Sequence, residues 1–294
     1  MNESPYILSV CVRTYNQKGY VKDALDSVLS QQTTFPFEII VSDDGSNDRT
    51  QEVLLEYQTR FPEKIGLILG DRNEGGPNNL KRVIEASRAK YITCLDGDDY
   101  YTDAYKLQKQ VNYLESHPEF VACFHNVMNV DEATGKQSLF VPAGFPSFVT
   151  AEDIISKRWF MPIHSVMMRR ELVAFPDWYL EVMNDDYVVN LSVAMHGPYH
   201  YTPEVMAAYR HHQTNISIQY QDVILIDTQL KRILEGFSLI YPESYKSVFD
   251  QRIRYYREEI RYYENEAKKP WRKWLRPKTY KRMLKRMFRK WVKV

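Results

Sequence analysis

Cysteine is scarce in this 294-residue chain, and long apolar runs are missing. The three cysteines, Cys11, Cys94 and Cys123, have neither the spacing of a metal site nor that of a redox pair. Two of them lie inside apolar runs, which favours buried thiols in a reducing compartment. No stretch approaches the roughly 18 apolar residues of a spanning helix, and no basic, apolar leader follows Met1. We therefore expect a chain that is neither secreted through a signal peptide nor integral to a membrane.

The charge is almost balanced, at +1 overall, but it is unevenly distributed. Residues 267–294 carry 13 Lys or Arg and no Asp or Glu, which leaves 26 basic and 38 acidic side chains in the rest of the chain. An acidic body with a basic tail indicates a separate role for the tail. With 44% hydrophobic residues, the chain is long enough for one large domain with an appendage.

Strand-like and helix-like patterns alternate through the first half of the chain. Short apolar runs, typical of strands covered on both faces, occur at residues 7–13, 37–42, 65–69, 91–95 and 121–127. Helical patterns occur between them at residues 21–31, 49–61, 78–89 and 104–117. The predicted fold class is α/β, with a doubly wound and mostly parallel sheet. Ligands of such sheets bind beyond the carboxyl ends of the strands.

The second half of the chain is less regular. Residues 128–215 are interrupted by prolines, and we predict an irregular second lobe there, folded over a first half at residues 1–127. Together they form one predicted domain, residues 1–215. A helical extension is predicted at residues 216–266, with helices at 216–240 and 243–267, and a basic amphipathic tail follows at residues 267–294.

Acidic residues follow two of the predicted parallel strands. One strand ends in Asp43-Asp44, and another ends in Asp96-Gly97-Asp98-Asp99. Three carboxylates within four residues call for a cation, because adjacent carboxylates cannot all stay charged cheaply. Oxygen ligands favour Mg²⁺ or Mn²⁺ over zinc, and such an ion shares its remaining positions with substrate phosphates. The alternative is that these acids are ordinary turn residues after strands.

Three motifs carry a family resemblance. The segments VRTYN, VSDDGSNDRT and YITCLDGDDYY occur in the order and spacing of family 2 glycosyltransferases, which have the GT-A fold. The chain resembles this family from about residue 8 to residue 212. No P-loop motif and no dinucleotide-binding glycine motif is present. The resemblance implies an inverting enzyme that uses a nucleotide-sugar donor, with UDP the expected nucleotide. It also implies that residues 1–215 are the catalytic domain, with the nucleotide-sugar and metal half at 1–127 and the acceptor half at 128–215.

The resemblance also implies roles for individual residues. The nucleotide-sugar is expected to contact Arg13, Thr14, Tyr15, Asn16, Asp44, Asn73, Gly75, Asn79 and Asp96. Arg13 stands where many members have proline. A Mn²⁺ or Mg²⁺ cofactor is expected at Asp98 and Asp99, with His212 as a further metal ligand. A metal ion would stabilise the negative charge that develops on the nucleotide diphosphate as it leaves.

The predicted general base is Asp186, which precedes a helix-like segment. The acceptor hydroxyl must lose its proton, and the resemblance gives this role to the second acid of Asp185-Asp186, where Asp185 replaces the usual Glu. The alternative is a helix N-terminus that carries acids because of the macrodipole. His164, Asp185 and Arg210 are predicted on the acceptor side. His164 also fits a plain core strand, and Arg210 also fits pairing with phosphate or with an acid of the cluster.

The tail has the pattern of a basic amphipathic helix. In residues 271–294, the spacing places Trp, Leu, Met and Phe on one stripe of a predicted helix and Lys and Arg on the opposite face. This pattern predicts attachment to an anionic membrane surface, and the alternative is a helix packed on the body. We expect a cytoplasmic protein, peripheral on the inner face of the membrane, that acts on a glycan or lipid-linked acceptor. Nucleic acid is not an expected partner, because the body is acidic and has no nucleic-acid motif.

Two other functions stay open from the sequence. A nucleotidyltransferase also holds a metal with acids on a doubly wound sheet, although it would need a basic, glycine-rich loop after the first strand. A catalytically inactive adaptor that binds nucleotide-sugar would keep the same fold. The intact acids at positions 44, 96, 98, 99 and 186 favour the active enzyme.

Overall fold

The computed structural model describes residues 5–157, 160–212 and 222–267. In its first half, strands and helices alternate as the apolar patterns predict. The elements are β1 (Leu8–Thr14), α1 (Val21–Leu29), β2 (Phe37–Asp43), α2 (Thr50–Arg60), β3 (Ile65–Leu69), α3 (Gly76–Ala86), β4 (Tyr91–Asp96), β5 (Tyr100–Tyr101), α4 (Lys106–Ser116) and β6 (Ala122–Asp131).

The second half adds strands to the same sheet and then ends in helices. Its elements are β7 (Gln137–Leu139), β8 (Phe148–Val149), α5 (Ala151–Ser156), β9 (Val166–Arg169), α6 (Asp185–Ala194), β10 (Tyr199–His211), α7 (Val223–Phe237) and α8 (Lys246–Ala267). Asp222 caps α7, because its side chain accepts hydrogen bonds from the backbone N–H groups of Ile224 and Leu225.

One mixed sheet organises the molecule, with the strand order β3-β2-β1-β4-β9-β6-β10-β5. Strands β3, β2, β1 and β4 are parallel neighbours, and β6 and β10 also pair in parallel. Strand β9 is antiparallel to both β4 and β6 and joins the two parallel groups. The short β7 and β8 pair with β6 and β10. The predicted α/β class with a mostly parallel principal sheet is therefore confirmed.

Two apolar cores cover the two faces of the sheet. Alternate residues of each strand point to opposite faces, so Val10 and Val12 of β1 lie in one core and Cys11 lies in the other. Helices α1, α2 and α4 cover the first face, and α3, α5, α6, α7 and α8 contribute to the second. Burial on both faces explains why the strands read as continuous apolar runs.

Helices α7 and α8 form a hairpin that packs behind α6. The Tyr241 hydroxyl, between the two helices, donates a hydrogen bond to the Leu191 carbonyl of α6 at 2.5 Å. Gly236 of α7 lies against the indole of Trp178, and the Trp178 ring also contacts Phe237 edge-on. The hairpin therefore supports the segment that leads into α6.

Most of the predicted elements are found, with ends that differ by a few residues. Helix α3 begins at Gly76 rather than at 78, because Pro77 occupies a first-turn position where its missing N–H costs nothing. Strand β10 is longer than the predicted run at 205–209, and its pairing with β6 shifts register around Pro203. The predicted helix at 216–240 is described only from Val223, and the tail at 271–294 lies outside the described residues.

None of the helices that the structure describes combines the length and the apolar character that crossing a bilayer requires.

We predict that Gly236→Ala destabilises the chain. Alanine normally stabilises a helix relative to glycine, but a Cβ at position 236 would lie 2.4 Å from Cζ2 of Trp178. Relief of that overlap should cost about 1–3 kcal/mol. Urea unfolding measures the change. Gly19→Ala is the control, because its Cβ would meet nothing within 4 Å; equal stability of Gly236→Ala and the wild type would contradict this packing.

Candidate active site

The carboxyl ends of β1, β2 and β4 meet at one edge of the sheet. Thr14 is paired in register with Asp43, and Arg13 with Asp96. The segment after β2 is hydrogen-bonded to the end of β1, because the Asp44 N–H donates to the Thr14 carbonyl at 3.0 Å. The segment after β4 is held in the same way, because the Gly97 N–H donates to the Arg13 carbonyl at 2.9 Å. The acidic segments that follow the two strands are therefore fixed side by side, as the parallel topology requires.

Asp44 is a buried anchor for the loop that precedes α3. One of its carboxylate oxygens accepts from the Glu74 N–H at 3.1 Å, and the other accepts from the Gly75 N–H at 2.8 Å. The Asn73 side chain also accepts from the Gly75 N–H, at 2.9 Å. Gly75 has a φ of 98°, a conformation that favours glycine. Asp44, Asn73 and Gly75, all predicted on the donor side, are thus brought together.

Asn79 ties α3 to the end of β1. Its side-chain amide donates to the Thr14 carbonyl at 3.2 Å, and its oxygen accepts from Arg82 at 3.2 Å. Arg82 in turn donates to the Ser42 hydroxyl at 2.9 Å and to the Asp43 carbonyl at 3.0 Å. The Thr14 carbonyl therefore receives two donors, one from Asp44 and one from Asn79.

The loop after β1 follows the same edge. Asn16 has a φ of 53°; its N–H donates to the Ser46 hydroxyl at 2.8 Å and its side chain accepts from the Asn47 N–H at 2.9 Å. Tyr15 is half-buried beside it. Gly97 packs closely on this loop, since a Cβ there would lie 3.1 Å from Cβ and Oγ1 of Thr14. The buried Thr14 hydroxyl has no hydrogen-bond partner within the described parts of the chain.

Arg13 bridges two carboxylates from different parts of the chain. Its Nε contacts Oδ1 of Asp96, and its Nη2 donates to Oδ2 of the same residue at 3.4 Å. Its Nη1 lies 2.5 Å from Oδ2 of Asp185. Burial alone would raise the pKa of Asp96, but the Arg13 guanidinium outweighs burial and holds that pKa below its ordinary value. For Asp185 burial prevails over Arg13, so its pKa lies above the ordinary value.

Asp98 faces His212 at the end of β10. Oδ2 of Asp98 lies 3.0 Å from Nε2 of His212. The imidazole ring stacks on the Tyr20 ring, with the centroids 4.4 Å apart and the planes 20° from parallel. The structure therefore brings together Asp98 and His212, which were both predicted as metal ligands.

Asp99 is buried on the inner side of the same loop. Its Oδ1 accepts from the Arg210 backbone N–H at 2.8 Å, and its Oδ2 lies 3.0 Å from Nδ1 of the buried His164. Burial raises the pKa of Asp99 to about 6, although His164 opposes the rise. Oδ1 of Asp99 is therefore hydrogen-bonded, whereas Oδ2 is close to the His164 ring but makes no hydrogen bond within the described residues. Because Asp99 is buried next to Asp98 and contacts β10, it lies beneath the site and away from solvent.

The Arg210 side chain points away from Asp99 and towards acids outside the Asp96–Asp99 loop. Its guanidinium contacts Asp23 at 3.1 Å and Glu132 at 3.4 Å, and it lies over the Tyr100 ring, 4.7 Å from the ring centroid. Together with Tyr20, these residues surround the His212 end of β10. Sequence reasoning missed Tyr20 and Tyr100. Tyr20 follows β1 and Tyr100 follows β4. A position after the carboxyl end of a parallel strand was the signal that could have identified them as site residues.

Asp185 and Asp186 begin α6. The Asp186 N–H donates to Oδ1 of Asp185 at 2.8 Å, and the Tyr187 N–H donates to Oδ1 of Asp186 at 2.8 Å. Asp186 is half-buried, whereas Asp185 is buried against Arg13. Acids in the first turn of a helix are favoured by its dipole. The half-buried carboxylate of Asp186 is the more accessible of the two.

The residues around Asp98 are compatible with a divalent cation. Within the described ranges, no group of three His, Cys, Asp or Glu side chains makes a complete metal site on its own. Asp98 and His212 supply one carboxylate and one imidazole at 3.0 Å from each other. Mg²⁺ in proteins is commonly held by one or two carboxylates together with substrate phosphates, and imidazole is a ligand that suits transition metals. Binding by Asp99 stays a prediction and requires rearrangement of its contact with His164.

A family model described as glycosyl transferase family 2 matches residues 9–174, more than half of the chain. The chain belongs to this family. It is 37% identical over 209 residues to an uncharacterized Mycobacterium tuberculosis protein, covering 71% of this chain and 60% of that protein. It is also 31% identical over 108 residues to the putative teichuronic acid biosynthesis glycosyltransferase TuaG of Bacillus subtilis, covering 37% of this chain and 42% of TuaG.

Solved structures share this fold over most of the chain. The S. aureus TarS fragment 1–349 in complex with UDP-GlcNAc has a TM-score of 0.65 and 17% identity, over 84% of this chain and 70% of that chain. The mannosyltransferase PcManGT of Pyrobaculum calidifontis, in complex with GDP-Man and Mn²⁺, has a TM-score of 0.62 and 17% identity, over 86% of this chain and 72% of that chain. At this identity the likeness shows the GT-A fold. The predictions of family and of a glycosyltransferase are confirmed.

We predict that Asp44→Ala releases the loop before α3. The substitution leaves the Glu74 and Gly75 N–H groups without their carboxylate, at a cost of about 1–3 kcal/mol in the free energy of unfolding. Hydrogen exchange of these two amides should accelerate, as mass spectrometry of the peptide that contains them would measure. The exposed Asp71→Ala in the same loop is the control; unchanged exchange in Asp44→Ala would contradict the anchoring role.

Proposed function

We propose that this family 2 glycosyltransferase is inverting and metal-dependent, and that it transfers a sugar from a UDP-sugar to an acceptor hydroxyl. The observation that carries the proposal is the pairing of Asp98 with His212 beside Asp96 and the acids that begin α6. These side chains come from three distant segments and meet at the carboxyl edge of the sheet. That edge is where ligands of such sheets bind.

The donor lies along the loop after β1 in this proposal. Thr14, Tyr15 and Asn16 face the nucleoside together with the buried Asp44. The segment with Asn73, Gly75 and Asn79 closes the same side, and Asp96 faces the ribose. The choice of UDP over dTDP or GDP rests on the family resemblance and on TarS, which was solved with UDP and with UDP-GlcNAc. PcManGT was solved with GDP-Man, so the test must compare nucleotides.

Asp98 and His212 hold a Mn²⁺ or Mg²⁺ ion in this proposal, with Asp99 beneath them. A bound divalent ion stabilises negative charge on the departing diphosphate as a Lewis acid. The protein's own contribution is to hold the Asp98 loop, through the contacts of Asp99 with Arg210 and His164, and to orient the His212 ring by stacking on Tyr20. The Mn²⁺ in the PcManGT complex supports this assignment.

Asp186 is the proposed general base. As the acceptor oxygen bonds to the anomeric carbon, its proton passes to the Asp186 carboxylate, and the sugar–phosphate bond breaks to release the nucleotide diphosphate. A single displacement of this kind inverts the anomeric configuration. The half-burial of Asp186 and its place at the first turn of α6, next to Asp185, support the assignment.

The acceptor is proposed to be a glycan or a lipid-linked glycan at the inner membrane face. TuaG and the putative glycosyltransferase EpsE are relatives in Bacillus subtilis, and the name of TuaG refers to teichuronic acid biosynthesis. The basic residues of the tail at 271–294 support attachment to an anionic surface. The chain spans about 60% of the length of its mycobacterial relatives, so the activity of the whole protein belongs to the proposal.

Calorimetric titration with UDP, dTDP and GDP, each with Mn²⁺ and with chelator, tests the donor site. We expect metal-dependent binding of UDP that weakens at least about tenfold in Asp98→Ala, because the ion would lose a ligand. Binding of another nucleotide instead would correct the donor. A chain that binds none of them would be neither an active transferase nor a nucleotide-sugar adaptor.

A second variant in the same experiment separates binding from chemistry. Asp186→Asn should keep nucleotide affinity within about threefold and reduce nucleotide release from the sugar donor by about 10²-fold or more. Asp177→Asn, an exposed acid in the same lobe, is the matched control. Full turnover in Asp186→Asn would refute its role as base, and tight nucleotide binding without turnover by the wild type would favour the adaptor.

Deletion of residues 267–294 tests the membrane assignment. Co-sedimentation with anionic liposomes should be lost in the shortened chain and should weaken with salt in the full chain, because the attraction is electrostatic. Neutral liposomes are the control. If the shortened chain still binds anionic liposomes as well as the full chain does, the tail is not the attachment site.

A further inference from the structure

Arg13 occupies a special position at the edge of the sheet. It is the register partner of Asp96 on the neighbouring parallel strand, so the two side chains leave the sheet on the same face. The guanidinium approaches both oxygens of Asp96, through Nε and Nη2. Only part of the side chain, 19%, is exposed. Arg13 is therefore held firmly on the strand that carries the donor-side acid.

The same guanidinium reaches the start of α6. Its Nη1 lies 2.5 Å from Oδ2 of Asp185, while Oδ1 of Asp185 accepts from the N–H of Asp186 at 2.8 Å. A continuous series of contacts thus runs from Asp96 through Arg13 and Asp185 to the backbone of Asp186. The first turn of α6 also abuts α3, since a Cβ at Gly76 would lie 3.5 Å from Oδ2 of Asp185.

The chemistry of arginine suits this bridge. Its planar fork presents donors in several directions and can engage two carboxylates at once, whereas the lysine ammonium is a single point charge. Asp96 and Asp185 lie 89 positions apart in the sequence and on different elements. Without Arg13, two neighbouring carboxylates would have no cation between them, and the link between α6 and β4 through this bridge would be lost.

We propose that Arg13 is a positioning residue that fixes the general base Asp186 relative to the donor-side acid Asp96, through its ion pair with Asp185. This inference rests on the proposed function and deepens it. Arg13 lies on β1, on the donor side, and acts through Asp185 on the base that serves the acceptor. A displacement of the base by about 1 Å is enough to lower turnover by roughly 10²-fold.

The experiment compares Arg13→Met, Arg13→Lys, Asp185→Asn and the double variant Arg13→Met/Asp185→Asn. The donor is the nucleotide-sugar that gives the fastest nucleotide release by the wild type in a panel of UDP-, dTDP- and GDP-sugars. For each variant, kcat for nucleotide release, Kd for the free nucleotide with Mn²⁺ and the thermal midpoint are measured. Arg60→Met is the matched control, because its pair with Glu56 on α2 is exposed.

A positioning role predicts a split between turnover and binding. We expect kcat to fall about 10²-fold in Arg13→Met and in Asp185→Asn while the nucleotide Kd changes less than about threefold. Arg13→Lys should recover part of the loss, because it keeps the charge but not the fork. The kcat of the double variant should lie within about threefold of the kcat of the slower single variant, because both substitutions break the same bridge.

Three results would overturn the inference. Unchanged kcat in Arg13→Met shows that the bridge does not position the base. A loss of nucleotide affinity that parallels the loss of kcat makes Arg13 a donor contact instead. Multiplicative losses in the double variant show that Arg13 and Asp185 act separately.

An inactive wild type is a different outcome. If the wild type releases no nucleotide from any donor, the proposed function fails and this inference fails with it. If the wild type is active, the variants test this inference alone. Arg13→Lys and Asp185→Asn keep the test decisive if Arg13→Met does not fold.

Discussion

The structure depends on the neutralisation of carboxylates that meet at one edge of the sheet. Burying negative charge without a partner is costly, so each acid there has a donor or a cation beside it. Asp44 is held by two backbone amides, and Asp99 by an amide and an imidazole. Asp96 and Asp185 share Arg13. These contacts define the shapes of the loops, because each loop must bring its donor to a fixed carboxylate.

Support for the acceptor side comes from behind the sheet. Helix α6 is covered by the α7–α8 hairpin, through the bond from Tyr241 to Leu191 and the contact between Gly236 and Trp178. The front of α6 is held by Arg13. The helix that begins with the proposed base is thus restrained on two sides by parts of the chain that are far apart in sequence. The start of α6 thereby acquires a defined position relative to the sheet.

Local patterns predicted the fold well, and the site in part. The apolar runs of β1 to β4 are visible because both faces of the sheet are buried. The acids after β2 and β4 were identified because the strand ends coincide. The contact between Arg13 and Asp185 could not be predicted, because it joins residues 172 positions apart. Only the structure brings the two residues into one ion pair.

The Thr14 carbonyl receives donors from both Asp44 and Asn79, and it belongs to the backbone. The carbonyl does not depend on which side chain stands at position 14, so an exchange that fits the close packing against Gly97 keeps this junction. The framework of this edge is therefore separated from the chemical identity of the side chain at position 14. A conservative substitution there can alter the chemistry of this edge while the carbonyl that accepts from both loops stays in place.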